Sequence, residues 1–369
     1  MVIARPALTR TSVTRTSVTR TGAAVAAVAA IALTGLSSSS SSAVTTPGWI
    51  SHPEGWTAAT LSSVDSQGRP TGASTLVMAS PTAVQTSLGT VPTGANVGDL
   101  SNDGRRVVLT AATSGGSTRV IIVDTLTRQQ TSWSVPGLNT VRFTNPSGLN
   151  LLVATDTSWQ RRDLQGRLQA TFPGASPLES LVQTRDGVLV VGRSSAGKIT
   201  VSSNATGRLM RTSATPAGQY CQPGYSLSNV SVTVSCIGAN AATVYRYDTN
   251  TGRFTSLSGS LPRAPYGYIG ARQTAKGLAV AKTPTCGAAQ WGFVSGTRWT
   301  AIPNQGGERS LVDFYAGATR AVVRVGGCGD QGFLVTQSTA TGGSQVVVAG
   351  GTKNPGKQLT GFATAARDN

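Results

Sequence analysis

The hydrophobic positions of this chain fall in short, β-branched bursts that return in a unit of about 43 residues. Val107-Val108-Leu109, Leu151-Leu152-Val153, Val188-Leu189-Val190-Val191, Val232-Thr233-Val234, Leu278-Ala279-Val280 and Ala321-Val322-Val323 each follow a polar turn. Such runs are too short for helices and fit strands covered on both faces. The turns lie at Asn102-Asp103-Gly104, Pro146-Ser147-Gly148, Arg185-Asp186-Gly187, Ser228-Asn229, Ala275-Lys276-Gly277 and Ala316-Gly317. Their glycines are spaced by 44, 39, 90 (across two units) and 40 residues. A second set of polar tips ends the next hairpin: Asp124 to Arg128, Asp163 to Arg167, Asn204 to Arg208 and Asp248 to Arg253. Asp-Gly and Asn-containing turns between β-branched runs are hairpin signals. A period of 40–45 residues built of short strands, with no amphipathic helix of ordinary length after residue 43, predicts an all-β fold. The expected architecture is a single β-propeller of four-stranded blades.

The chain ends complete the ring. Ala58 to Val64, Ser74 to Ala79 and Ala83 to Leu88 supply three strands ahead of the first repeated hairpin, and Leu359 to Ala365 supplies the innermost strand of the same blade. Pairing the two ends removes exposed strand edges. Residues 55–366 form the propeller domain, and seven blades of about 44 residues fit it; six blades with frayed ends is the competing count.

Residues 1–43 read as a signal peptide. Arg5, Arg10, Arg15 and Arg20 precede an apolar stretch from Gly22 to Leu36, and Ser41-Ser42-Ala43 offers a small-residue cleavage site. Fifteen apolar residues fall short of the ~20 that span a bilayer, so no stable membrane span is expected after cleavage near Ala43. A retained anchor is the alternative. Residues 44–54 are expected to be a flexible leader. The whole chain carries 31 Lys+Arg against 14 Asp+Glu; removing the four leader arginines leaves +13. That balance favours anionic surroundings. In an exported protein the expected partners are cell-wall polymers or anionic lipid headgroups. The arginines are scattered among turns without aromatic interleaving, which points away from nucleic acid. Keeping an acid-poor β-protein soluble is the alternative role for the charge.

Four cysteines in an exported chain imply disulfides. Cys221 and Cys236 lie symmetrically about Ser228-Asn229, as cross-strand partners in a hairpin would. Cys286 and Cys328 occupy equivalent places in consecutive units and can meet in second-to-third strand loops at one end of adjacent blades. A zinc site lacks both Cys-x2-Cys spacing and histidines. The lone histidine, His52, precludes a Ser-His-Asp hydrolase or a histidine-held metal within the blades. Glycosidase chemistry requires paired carboxylates, and the glutamates are limited to Glu54, Glu179 and Glu308. A channel can still bring distant acids together, Asp99 with Asp313 for instance. Neither a cofactor nor a metal is implied.

Cys221-Gln222-Pro223-Gly224-Tyr225, Val234-Ser235-Cys236, Val244-Tyr245-Arg246-Tyr247-Asp248-Thr249, Thr285-Cys286-Gly287 and Cys328-Gly329 resemble secreted actinobacterial TolB-like or WD-repeat-like propellers. Leu100-Ser101-Asn102-Asp103-Gly104-Arg105 is similar to their Leu-Ser-Pro-Asp-Gly-Arg signature, with Asn102 in place of Pro. The resemblance covers most of residues 98 to 365, carries no catalytic residues, and implies an extracytoplasmic interaction scaffold. Tyr225, Tyr268, Trp291, Phe314 and Tyr315 are candidate ligand-binding residues; Tyr266 and Trp299 lie in the same region, and filling the wedge between blades is the alternative role for all of them. The expectation is a monomeric, non-catalytic binding module for a cell-wall polymer, peptide or protein partner. Its alternative is a carboxylate-based envelope hydrolase or lyase working in the channel.

Overall fold

The computed structural model of the chain describes residues 47–51, 53–67, 69–216, 219–262, 268–282, 289–303, 309–315, 317–326, 332–354 and 356–364. They form seven antiparallel sheets, the seven blades of a propeller. From the innermost strand outward, the first blade runs Lys357–Thr364, Thr57–Val64, Pro70–Ala79 and Gln85–Val91. The second runs Asn96–Leu100, Arg106–Ala112, Ser117–Asp124 and Gln130–Pro136, and the third Leu138–Phe143, Asn150–Thr155, Trp159–Asp163 and Leu168–Phe172. The fourth comprises Leu181–Gln183, Leu189–Arg193, Ile199–Ser203 and Leu209–Ser213. The fifth comprises Tyr220–Ser228, Ser231–Ile237, Ala241–Asp248 and Phe254–Ser256, with the short strand Leu261–Pro262 also paired to its third strand. Tyr268–Thr274, Gly277–Lys282, Gln290–Ser295 and Arg298–Ala301 make the sixth, and Arg309–Tyr315, Arg320–Val325, Phe333–Ser338 and Ser344–Val348 the seventh.

The chain ends close the ring in one blade. Thr57 pairs with Thr364 and Ser63 with Lys357, with one irregularity between Thr60 and Leu61. The last strand therefore sits at the channel wall, while the strand nearest the start of the fold lies beside it. The competing six-blade count is excluded, because the terminal sheet is a complete blade.

The second strands explain the apolar runs. Val107, Val108, Leu109, Leu151, Val153, Val191, Val232, Val234, Ala279, Val280, Ala281, Ala321 and Val323 expose none of their surface, since a neighbouring blade covers each face. The core is thus divided into seven apolar wedges, one per interface between neighbouring blades. Val108, Val120 and Ile122 of the second blade meet Val141, Phe143, Leu151 and Val153 of the third. Ala59, Val77 and Ala79 of the first meet Leu334, Val347, Val348 and, within the same sheet, Leu359, so the closing wedge is apolar like the rest. Each buried branched side chain contributes about 1.5–3 kcal/mol.

The polar hairpin tips recur for a physical reason. Thr125, Asn204, Thr249 and Thr339 follow the third strand in four blades, and their backbone N–H groups donate to Arg105, Val188, Val230 and Thr319 carbonyls (2.8–3.0 Å). Their side chains also donate, to Gly104, Gly187, Val230 and Ala318 carbonyls (2.7–3.0 Å). The outer hairpin is thereby locked to the inner one. Asp124, Asp163 and Asp248 begin their tips by accepting N–H bonds from the residues ahead, as in Asx turns.

Two details depart from expectation. Cys221 and Cys236 are cross-strand partners and form a disulfide with a Cα–Cα distance of 4.0 Å. The turn joining their strands, however, is Asn229-Val230 rather than Ser228-Asn229. Two register shifts, between Pro223 and Ser226 and between Ser226 and Ser228, restore the symmetry that links the cysteines. The stretch read as a flexible leader is packed from Pro47 onward: Gly48–Ser51 is a helical turn, Trp49 is buried, and its indole N–H donates to Thr125 Oγ1 (3.1 Å). Gly104, at φ +69°, admits this segment, because a Cβ there would lie 1.8 Å from the Trp49 carbonyl oxygen. Cys286 and Cys328 lie outside the described residues, as does His52.

Candidate functional site

The innermost strands surround a cavity of about 510 Å³ lined by all seven blades. Its charged groups are Asp99 and Arg142 from the second and third blades and Arg272 and Asp313 from the sixth and seventh. Asn102, Asn145, Gln183 and Gln222 add amides, and Tyr225 and Phe143 are the aromatic rings on the wall among the described residues.

Polar links join each blade to the next around this cavity. Thr360 of the first blade donates to the Ala95 carbonyl ahead of the second (3.0 Å). Asp99 accepts the Phe143 N–H of the third (2.8 Å), and Gln183 of the fourth both accepts from Asn145 N–H and donates to the Phe143 carbonyl (2.8 Å each). Ser180, just ahead of the fourth blade's first strand, donates to the Pro223 carbonyl of the fifth (3.1 Å), and Thr233 of the fifth to the Ala271 carbonyl of the sixth (2.6 Å). Arg272 then pairs with Asp313 of the seventh, and Thr364 donates to Asp313 Oδ2 (2.9 Å) and returns the circuit to the first blade.

The two candidate carboxylates therefore have different surroundings. Asp313 is 5% exposed and holds the Arg272 guanidinium, the Thr364 hydroxyl and the Phe314 N–H together. Asp99 keeps part of its surface open to the channel, yet its carboxyl is enclosed by protein. Burial lifts its pKa from 3.8 to about 6, against the opposing pull of the Phe143 N–H, the Arg142 charge and the Leu100 N–H. The Arg142 guanidinium stands exposed on the wall and makes no hydrogen bond or ion pair with a described residue.

The sequence-predicted aromatics divide between channel and wedge. Tyr225 lines the cavity with the Arg272 guanidinium 5.5 Å from its ring centre. Behind it, Trp291 lies 6.3 Å from Tyr225 and meets Phe314 edge-on at 5.6 Å, both nine-tenths buried between the sixth and seventh blades. Tyr315 is buried and accepts from Arg320 (3.0 Å). Tyr268 opens the innermost strand of the sixth blade; its side chain lies outside the described residues. Cys221 and Cys236 are buried in the wedge between the fourth and fifth blades.

Arg142, Gln183 and Arg272 were not singled out by sequence, although a signal existed. Asp99, Arg142, Gln183, Ser226, Arg272 and Asp313 each stand four to six residues before the glycine of their inner hairpin or at the matching place in the repeat. One polar residue at one repeat position in each of blades two to seven marks the channel wall. A second polar cluster was also missed: Glu179 pairs with Arg193, whose guanidinium lies 3.9 Å from the Tyr220 ring centre, and the Tyr220 hydroxyl donates to Glu179 (2.8 Å). Among the described residues no group of three His, Cys, Asp or Glu side chains comes together as a metal cage.

No protein-family model matches the chain, and no curated protein matches it. Solved structures do. The chain is similar to TolB from Acinetobacter baumannii (13% identity, 85% of this chain and 67% of that one, TM-score 0.49). It is similar to oligogalacturonate lyase from Vibrio parahaemolyticus (12% identity, 80% and 86% covered, TM-score 0.51). The β-propeller domain of the trilobed protease from Pyrococcus furiosus, described by an open velcro topology, matches at 12% identity over 81% of this chain and 95% of that one (TM-score 0.55). At these identities the likeness is one of fold. What the neighbours and this chain share is the β-propeller.

Proposed function

We propose that the chain is an exported, monomeric, non-catalytic propeller that binds an envelope ligand or partner at its channel. Residues 1–43 act in this reading as a cleaved export signal, which their basic start and fifteen-residue apolar run support; no described helix is long and apolar enough to cross a membrane. The observation that carries the reading is the wall of the 510 Å³ cavity: amides, hydroxyls and one unpaired guanidinium face a space of the size that takes a small ligand or a chain end. Its acids have structural work, since Asp313 is tied to Arg272 and Asp99 to two backbone N–H groups.

Capture from cell-envelope fractions tests it. The protein should retain its partner in about 0.5 M salt, where exposed charges reach only a few ångströms, and Gln222→Trp should abolish retention by filling the channel. Retention that vanishes with salt, or that Gln222→Trp leaves intact, contradicts the proposal. One observation favours the alternative, carboxylate-based hydrolysis or elimination: Asp99 titrates near 6 on the same cavity as Asp313. That reading requires envelope polymer to be cleaved by the protein and spared by Asp99→Asn.

A further inference from the structure

Arg142 is an exception among the charged groups of the channel. Arg272 is committed to Asp313, and Asp313 to Arg272 and Thr364. Asp99 lies within electrostatic reach of Arg142 but spends its two oxygens on the N–H groups of Leu100 and Phe143 instead of pairing with it. The Arg142 guanidinium is thus an exposed cation on a concave wall, its donors unspent on any described residue. Nearby amides are half used. Asn102 donates through Nδ2 to Asn145 Oδ1 (3.1 Å), which leaves Asn145 Nδ2 and Asn102 Oδ1 without a hydrogen-bond partner among the described residues. The Gln222 amide, on the fifth blade, makes no side-chain hydrogen bond with a described residue either.

Taking the binding-module reading above as its basis, we infer that the channel recognises a small ligand through a carboxylate seated on Arg142, with Asn102, Asn145 and Gln222 bonding the polar groups beside it. A planar guanidinium suits a carboxylate in two-pronged geometry, and side-chain amides offer both a donor and an acceptor to neighbouring hydroxyl or amide groups. Two sources carry this chemistry, a sugar acid and the carboxyl end of a short peptide. Besides Arg142, the charged or titratable groups on the cavity wall among the described residues are Asp99, Arg272, Asp313 and Tyr225. Burial holds the Asp99 pKa at about 6, so its charge changes in the mildly acidic range. Its ionisation places a second negative charge near the ligand, so binding weakens as pH rises through about 6.

Calorimetric titration of the protein with glucuronate, N-acetylalanine and glucose is the test. One acidic probe binds and neutral glucose does not; which acid binds names the source. Arg142→Gln weakens that binding by about tenfold or more with an unchanged melting temperature, as expected when a charge-assisted bond is lost. The wild type binds more tightly at pH about 5 than at about 7.5, and Asp99→Asn removes this difference. Equal affinity in Arg142→Gln, or glucose binding as well as the acids, overturns the inference. If neither acid binds while salt-resistant, Gln222-dependent capture persists, the carboxylate assignment falls and the binding-module reading stands. If capture fails as well, both fall.

Discussion

Asp99 shows how the ring sets the chemistry of one side chain. Its folded pKa, about 6, lies above its unfolded one, 3.8, so the folded state holds the proton more tightly. The stabilisation this gives is complete below about pH 4 and is lost as pH rises through 6. At 1.36 kcal/mol per unit the loss is at most about 3 kcal/mol, and less because the residue partly faces the channel. Urea denaturation between pH 4 and 7 should show wild-type stability falling relative to Asp99→Asn; parallel curves would contradict the assignment. Asp248 works oppositely in a separate window. The Thr251 N–H holds it below the usual carboxylate range, so its contribution disappears only in stronger acid. Residues of this kind were hard to read in the sequence. The partner of Asp99, Phe143, lies 44 residues away, and the curvature that joins them belongs to the ring. What could be read was the repeat position: one polar residue before the inner turn in each of blades two to seven.

At the scale of strands and hairpins, the apolar runs and turns were legible because each second strand is covered on both faces and each tip needs Asp, Asn, Thr or Gly for its local bonds. The terminal pairing was legible too, since three strands at the start lacked an innermost one. Register irregularities were not. Nothing in the run Gly224 to Ser228 announces the two shifts that move the turn to Asn229-Val230, and the cysteine symmetry held only because they compensate. The leader was misjudged because one buried Trp, locked by a bond to a tip 76 residues away, leaves no periodic trace. The Cys221–Cys236 bridge closes a separation of 15 residues and lies buried between blades. Replacing both cysteines with Ala should lower the unfolding free energy by about 2–4 kcal/mol, read as a shift of the urea midpoint at constant slope. An unchanged midpoint would mean that the bridge adds nothing to the fold.

Across the whole molecule, seven apolar wedges and a complete circuit of polar links hold the blades at a common radius. No blade is spare: each contributes to the wall of the cavity, and the strand that closes the ring brings Ala363 and Thr364 to that wall. A site assembled this way draws its residues from sequence distances of about 40, which is why local motifs reached only Asp99, Asp313 and Tyr225 of its wall as site candidates. It also predicts where a partner must touch. Photo-crosslinking from a small diazirine amino acid, close to Gln and Met in size, placed at Gln222 on the cavity wall or at Met210, exposed on the outer strand of the fourth blade, tests this directly in the presence of envelope fractions. The account predicts a salt-resistant adduct from position 222 and none from position 210; adducts from the outer position alone, or equally from both, would contradict it.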